Sequence, residues 1–122
     1  MPRRREAVAP RWVWGAEVMR VVEREMARGG LSLGELARRA GHRFGVDPES
    51  AERRLRAARG PGAVMDVHTA DRYLTLVGRH LTDLPCYRDA LRGDLPPERW
   101  PRRVRSRRAP RSPRPAARAA PA

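Results

Sequence analysis

Glycine and proline punctuate this chain at intervals too short for any long element. Gly29-Gly30, Gly60-Pro61-Gly62, Gly78 and Gly93 cut the middle of the sequence into short segments. Within those segments apolar residues recur three and four positions apart, and no stretch shows sustained period-two alternation bounded by turn residues. The fold class this dictates is all-α, a compact bundle of four to five helices. A strand is expected at most as a short piece near 63–65.

The first helix is expected over about 15–28, with Val18, Val22 and Met26, flanked by Met19, as its apolar stripe. The glycine pair ends it. The second has the clearest start in the chain. Ser32 lies three residues before Glu35, so each side chain can satisfy the other's backbone N–H, and Leu31 and Leu36 stand at the two positions of a hydrophobic staple. Its stripe runs through Leu33, Leu36, Ala37, Ala40 and Phe44. A third helix starts at Asp47-Pro48, a cap acceptor followed by a residue whose fixed φ suits the first helical position, and ends near Arg59. It offers only Ala51, Leu55 and Ala58 on one face, with Ala57 beside them, so most of its girth is expected to be free. A fourth follows Asp66 with Ala70, Tyr73, Leu74 and Val77 inward, and a last short piece occupies about 85–92.

Charge divides the chain in the same places. The total is +13 over 122 residues, but residues 1–11 carry +3, residues 12–98 carry +1 and residues 99–122 carry +9. A nearly neutral middle with basic ends reads as a folded domain over 12–98 between an N-terminal arm (1–11) and an Arg/Pro/Ala-rich tail (99–122) that cannot bury enough surface to fold. All 27 cations are arginine, and Lys, Ile, Asn and Gln are absent. A GC-rich genome accounts for part of that bias without any function.

Several classes of protein are excluded by what is missing. No apolar run approaches the roughly 18 residues of a membrane span, and the short apolar stretch after the basic start does not make a secretory signal. With Cys86 alone there is no intrachain disulfide, and His42, His68 and His80 are too scattered to complete a zinc site with it. Cys86 is expected as a small buried apolar residue. Asp66, His68 and Asp71 resemble a ligand or acid/base spacing, but Asp66 serves better as a helix cap. Ser32 and Ser50 sit at helix starts, so no nucleophile with a nearby base is apparent. No enzyme, cofactor, metal or small-molecule ligand is expected.

Two helices joined by a tight turn, the second amphipathic and mostly exposed, suit a helix-turn-helix over about 32–59. The stretch GVDPESAERRL, from Gly45 to Leu55, resembles the turn and recognition helix of bacterial helix-turn-helix repressors. In that resemblance Gly45 is the turn glycine, Val46 the buried residue after it, Asp47 the cap ahead of Pro48, Ser50 the small polar site, Ala51 and Leu55 the buried face and Arg53 the basic site. Gly41, four residues before Gly45, falls where the family has a small residue that lets the helices approach. A register with Gly41 as the turn would bury His42 and place Asp47 in the core. The stretch from about Val18 to Gly78 is similar to the lambda-repressor/Cro-like class, and to small regulators of actinobacteria and their phages. It departs from the family pattern at Ala51, smaller than the usual Val or Ile, and at Arg54, which replaces an apolar residue.

At 100° per residue from Ala51, Glu52, Arg56, Glu49 and Arg53 fall between about 100° and 200°, opposite the buried stripe. These four are the expected base contacts: arginine can bond guanine O6 and N7 together, and a carboxylate can accept from cytosine N4. Without Asn or Gln the usual bidentate adenine contact is unavailable, so G·C-rich sites are favoured. The same residues also form two i,i+4 pairs of opposite charge, which stabilise an exposed helix without any DNA. Arg38, Arg39 and Arg43, with Arg102, Arg103, Arg105, Arg107 and Arg108 of the tail, are the expected phosphate contacts. Arg3-Arg4-Arg5 is a candidate minor-groove arm, and Trp12, Trp14 and Trp100 either stack on bases or cover the edges of the core. The expected partner is double-stranded DNA in the cytoplasm, at the nucleoid. The apolar residues of 81–91 are a candidate contact for a homodimer. The rivals are a packaging protein of low sequence specificity and a protein-interaction module.

Overall fold

The computed structural model describes residues 9–103. Five helices, α1 (Gly15–Gly29), α2 (Leu33–Phe44), α3 (Pro48–Ala57), α4 (Val67–Leu76) and α5 (Pro85–Leu91), follow the glycine and proline punctuation. One core joins them: Val18, Met19 and Val22 of α1, Leu36 of α2, Leu55 of α3, Leu74 of α4 and Leu84 are all fully buried. α2 packs against α3 and α4, and α1 against α4. α1 also buries Val21, so its apolar face is broader than the stripe in the sequence suggests.

The all-α expectation needs one correction. β1 (Trp12–Trp14) pairs antiparallel with β2 (Val64–Asp66), with Val13 opposite Met65. Those two residues are buried and their strand neighbours half-buried, which is strand alternation compressed into three residues, too short to stand out as a period. The expected piece near 63–65 is therefore real, but its partner was not anticipated. The Gly15 N–H donates to the Ala63 carbonyl (2.9 Å) and the Val67 N–H to the Arg11 carbonyl (3.0 Å), so the ribbon delivers the chain directly into α1 and α4.

Close approach at that junction requires Gly15. A Cβ there would clash with the Ala58 carbonyl oxygen, so the start of α1 abuts the end of α3. Two ion pairs tie α1 to its neighbours from different sides: Arg59, just past α3, pairs with Glu23, and Arg79, just past α4, grips Glu25 through Nε (3.1 Å) and Nη2 (2.8 Å).

The folded unit reaches past the expected boundaries. Pro10 and Pro101 are buried, the Trp100 indole N–H donates to the Leu95 carbonyl (2.8 Å), and the Arg103 guanidinium stands over the Trp12 ring, 5.9 Å from its centroid. The first residues assigned to the tail thus fold back on the domain, and the tryptophans cover its edges. Most of the 81–91 stretch is likewise consumed by the core, where Leu84 is buried and Leu81 and Tyr87 pack against it. Leu91, 49 % exposed, is the large apolar side chain left in solvent among the described residues. The arm with Arg3-Arg4-Arg5 and the tail positions Arg105, Arg107 and Arg108 lie outside the described residues.

Candidate nucleic-acid interface

The α2–α3 pair is built from local signals that each find their partner. Ser32 Oγ accepts from the Glu35 N–H (3.1 Å), and Glu35 Oε1 accepts from the Ser32 N–H (2.8 Å). Leu36 is fully buried and Leu31 packs against the core beside it. At the far end Gly45 takes φ 73°, a left-handed turn that closes α2, and its N–H donates to the Gly41 carbonyl (2.9 Å). Val46 then packs against the core, and Asp47 Oδ2 accepts from the Ser50 N–H (2.9 Å) to start α3 on Pro48. Where the helices meet, a Cβ on Gly41 would lie 2.9 Å from the Val46 carbonyl oxygen and 3.0 Å from Pro48 Cγ. Gly41 lets the turn and the first residue of α3 sit directly on α2.

α3 buries Ala51 and Leu55, with its C-cap Ala58 buried after them, and leaves Glu49, Arg53 and Arg56 in solvent. The four expected base contacts do not behave as one set. Arg53 turns its guanidinium to Ser50 Oγ (3.2 Å) and forms no ion pair with Glu49. Arg56 is ion-paired with Glu52, which is half-buried on the side of α3 nearest α2: its Oε1 would lie 3.7 Å from a Cβ on Gly34, with Arg38 Nη1 at 3.8 Å. Glu49 and Arg53 are therefore available to a ligand as they stand, while Glu52 and Arg56 would first have to part.

The expected phosphate contacts also divide. Arg38, Arg39 and Arg43 rim an open groove of about 610 Å³ along α2, floored by Leu31 and Leu76. His42, which the sequence reading did not assign, joins them, as its spacing from Arg38 and Arg39 on one helix face would have shown. Arg103 instead shares a groove with Arg54 and Ala57 behind α3, and Arg102 is exposed.

Hydrogen bonds hold two carboxyls below their ordinary range. Glu35 is lowered by those from Ser32 and then by the charges of Arg38 and Arg39, and Asp47 by those from Ser50 and then by Arg53. In the unfolded chain both return to about 4. Their contribution is thus complete above about pH 4 and is lost as the pH falls through the lower folded-state values. Acidification below about pH 4 should lower the melting temperature, less steeply in Asp47→Ser, which keeps a cap that does not titrate. Identical acid limbs in the two proteins would contradict this assignment.

Asp66 Oδ1 accepts from the His68 N–H (2.8 Å) as the cap of α4, and among the described residues no cluster of three or more His, Cys, Asp or Glu is placed to hold a metal ion. Cys86 is half-buried, not fully buried as expected, and burial together with the Glu17 carboxylate pushes its thiol up, away from the reactive thiolate. Among the described residues no helix is long and apolar enough to cross a membrane. Comparison with protein-family models, with curated proteins and with solved structures finds no match to this chain.

Proposed function

We propose that this chain binds double-stranded DNA in a sequence-specific way through a helix-turn-helix formed by α2 and α3, and acts as a transcriptional regulator at the nucleoid without catalysing a reaction. The observation that carries this reading is the contact at Gly41. A helix pair locked this closely through a left-handed glycine and a capped turn holds α3 as a rigid projecting rod, its Leu55 side anchored and its Glu49–Arg53 side free. With its side chains an α-helix is about 10–12 Å across, and a B-DNA major groove is about 12 Å wide.

In this reading Arg53 and Glu49 meet base edges first, and Arg56 and Glu52 join once their ion pair opens. Arg38, Arg39 and Arg43 neutralise phosphates along α2, with Arg102, Arg103 and the arginines of the tail supplementing them. A homodimer would supply the second half-site, with Leu91 as the remaining exposed apolar contact of its stretch.

Selection of duplexes from a random pool by the full chain, repeated across salt concentrations, tests the proposal. The expected result is an enriched G·C-rich motif whose affinity falls steeply with salt. Binding at low salt with no enriched motif would replace the regulator by a packaging protein of low specificity. No binding at any salt would remove DNA as the partner.

A further inference from the structure

We infer that the cleft where α2, α3 and α4 meet is a phosphate-binding site formed by Arg43, Arg54 and Arg72. Each helix contributes one guanidinium. The Cζ atoms of Arg43 and Arg72 stand over the Phe44 ring, 5.5 and 5.4 Å from its centroid, and Arg54 and Arg72 line one cleft with Phe44, Thr69 and Tyr73.

None of the three forms an ion pair or donates a side-chain hydrogen bond among the described residues, whereas the nearby Arg56, Arg59 and Arg79 each find a carboxylate. Acids are close in sequence, Asp71 beside Arg72 and Glu52 two residues before Arg54, yet neither comes within ion-pair distance of the cluster. Two guanidiniums drawn to one aromatic ring, with a third lining the cleft beside it and no acid paired with any of them, repel one another and leave an uncompensated positive potential. That repulsion costs the free protein stability and is offset when an oxyanion binds.

The chemistry of the cluster selects phosphate. Guanidinium is a planar fork that matches phosphate oxygens and stays charged at any ordinary pH. Stacking on Phe44 limits how far two of the forks can wander before the ligand arrives. Two sources can supply the group: the backbone of a duplex, for which the inference rests on the DNA-binding reading, and free inorganic phosphate, for which it does not.

The test compares the full chain with an Arg54→Leu/Arg72→Leu double variant. Thermal melting in inorganic phosphate is set against chloride at matched ionic strength. The wild type should gain melting temperature in phosphate and the variant should not, while in dilute chloride the variant should melt at or above the wild type. Duplex affinity across salt forms the second arm. If the backbone supplies the phosphate, the log–log slope of the variant should be shallower by about 0.9. A response in either arm that the variant lacks supports the site and names its source. Equal responses of the two proteins in both arms would overturn it, even where the wild type binds DNA well, as would a variant that melts far below the wild type and still gains from phosphate. If the wild type binds no duplex, the DNA reading fails and the melting arm alone decides the site. The single changes Arg54→Gln and Arg72→Gln, which retain side-chain length, give the same comparison should the double variant unfold.

Discussion

Alanine at position 15 should destabilise the protein more than alanine at position 41, and alanine at position 34 should not destabilise it. None of the three glycines has positive φ, so the backbone accepts alanine at each and the outcome depends on what the new methyl meets. At Gly15 the nearest atoms are all backbone, the Ala58 oxygen closest, with the Ala58 carbon and Cα at 3.1 Å. Relief requires moving the end of α3 away from α1, and with Gly15 buried nothing flexible can yield. Overpacking of this kind costs about 1–3 kcal/mol or more. At Gly41 the neighbours are the Val46 oxygen at 2.9 Å and Pro48 Cγ at 3.0 Å, and alanine inside α2 recovers up to about 1 kcal/mol of helix propensity. The net loss should be smaller, but it falls on the α2–α3 junction. Gly34 has only the ends of Glu52 and Arg38, at 3.7 and 3.8 Å, which is ordinary contact, so Gly34→Ala should be neutral or stabilising. Urea denaturation of the three variants measures the order. Wild-type stability in Gly15→Ala would contradict the α1–α3 contact. In Gly41→Ala, duplex affinity should fall at temperatures where the protein is still folded, because the turn that aims α3 has shifted.

How legible these features were in the sequence depended on how local their causes are. The capping box of α2, the Asp47-Pro48 start of α3 and the Asp66 cap of α4 need only three or four neighbouring residues, and each stands where the spacing placed it. The role of Gly41 was readable because its partner, the turn at Gly45, is one helical turn away. Gly15 gave no such sign. Its constraint comes from Ala58, more than forty positions later, and an isolated glycine at a helix start looks unremarkable. β1 was missed for a related reason. Three residues carry too little alternation to register, and what fixes them as a strand is hydrogen bonding to β2 across the whole of α1 to α3. Charges were legible as positions on a helical wheel and in part as partners: of the two i,i+4 pairs the spacing offers, Glu52–Arg56 forms, with Glu52 drawn partly out of solvent, whereas Arg53 turns to Ser50 in place of Glu49. The boundary at residue 98 failed because composition changes there while the packing continues through Pro101 to Arg103 on Trp12.

That difference between Glu52–Arg56 and the free residues of α3 leads to unequal effects of two arginine substitutions on recognition. Arg53→Ala gives up one exposed hydrogen bond to Ser50 and the attraction of its charge for Asp47 in the free protein, so most of its effect should appear in the complex. If it bonds a guanine, discrimination between a selected site and the same site with that base pair changed should drop by about 1–3 kcal/mol, roughly five- to 150-fold. Arg56 must leave Glu52 before it can contact a base, and the energy of that exposed pair, at most about 1 kcal/mol, is subtracted from what the contact returns. Arg56→Ala should therefore relax specificity less, while Glu52→Gln, which frees Arg56 and removes a negative charge from the binding face, should raise affinity overall and lose discrimination at any base that Glu52 reads. Deleting residues 104–122 acts on a different quantity. The segment holds six arginines and no acid, so its loss should weaken every duplex alike and flatten the log–log salt dependence by up to about five, at about 0.9 for each phosphate neutralised, with the ratio between sites unchanged. Competition binding of matched and single-substituted duplexes, at two salt concentrations, separates the two behaviours. An Arg53→Ala protein that loses affinity equally for all sequences would place Arg53 on the backbone, and a truncated protein with altered site ratios would bring the tail into base recognition.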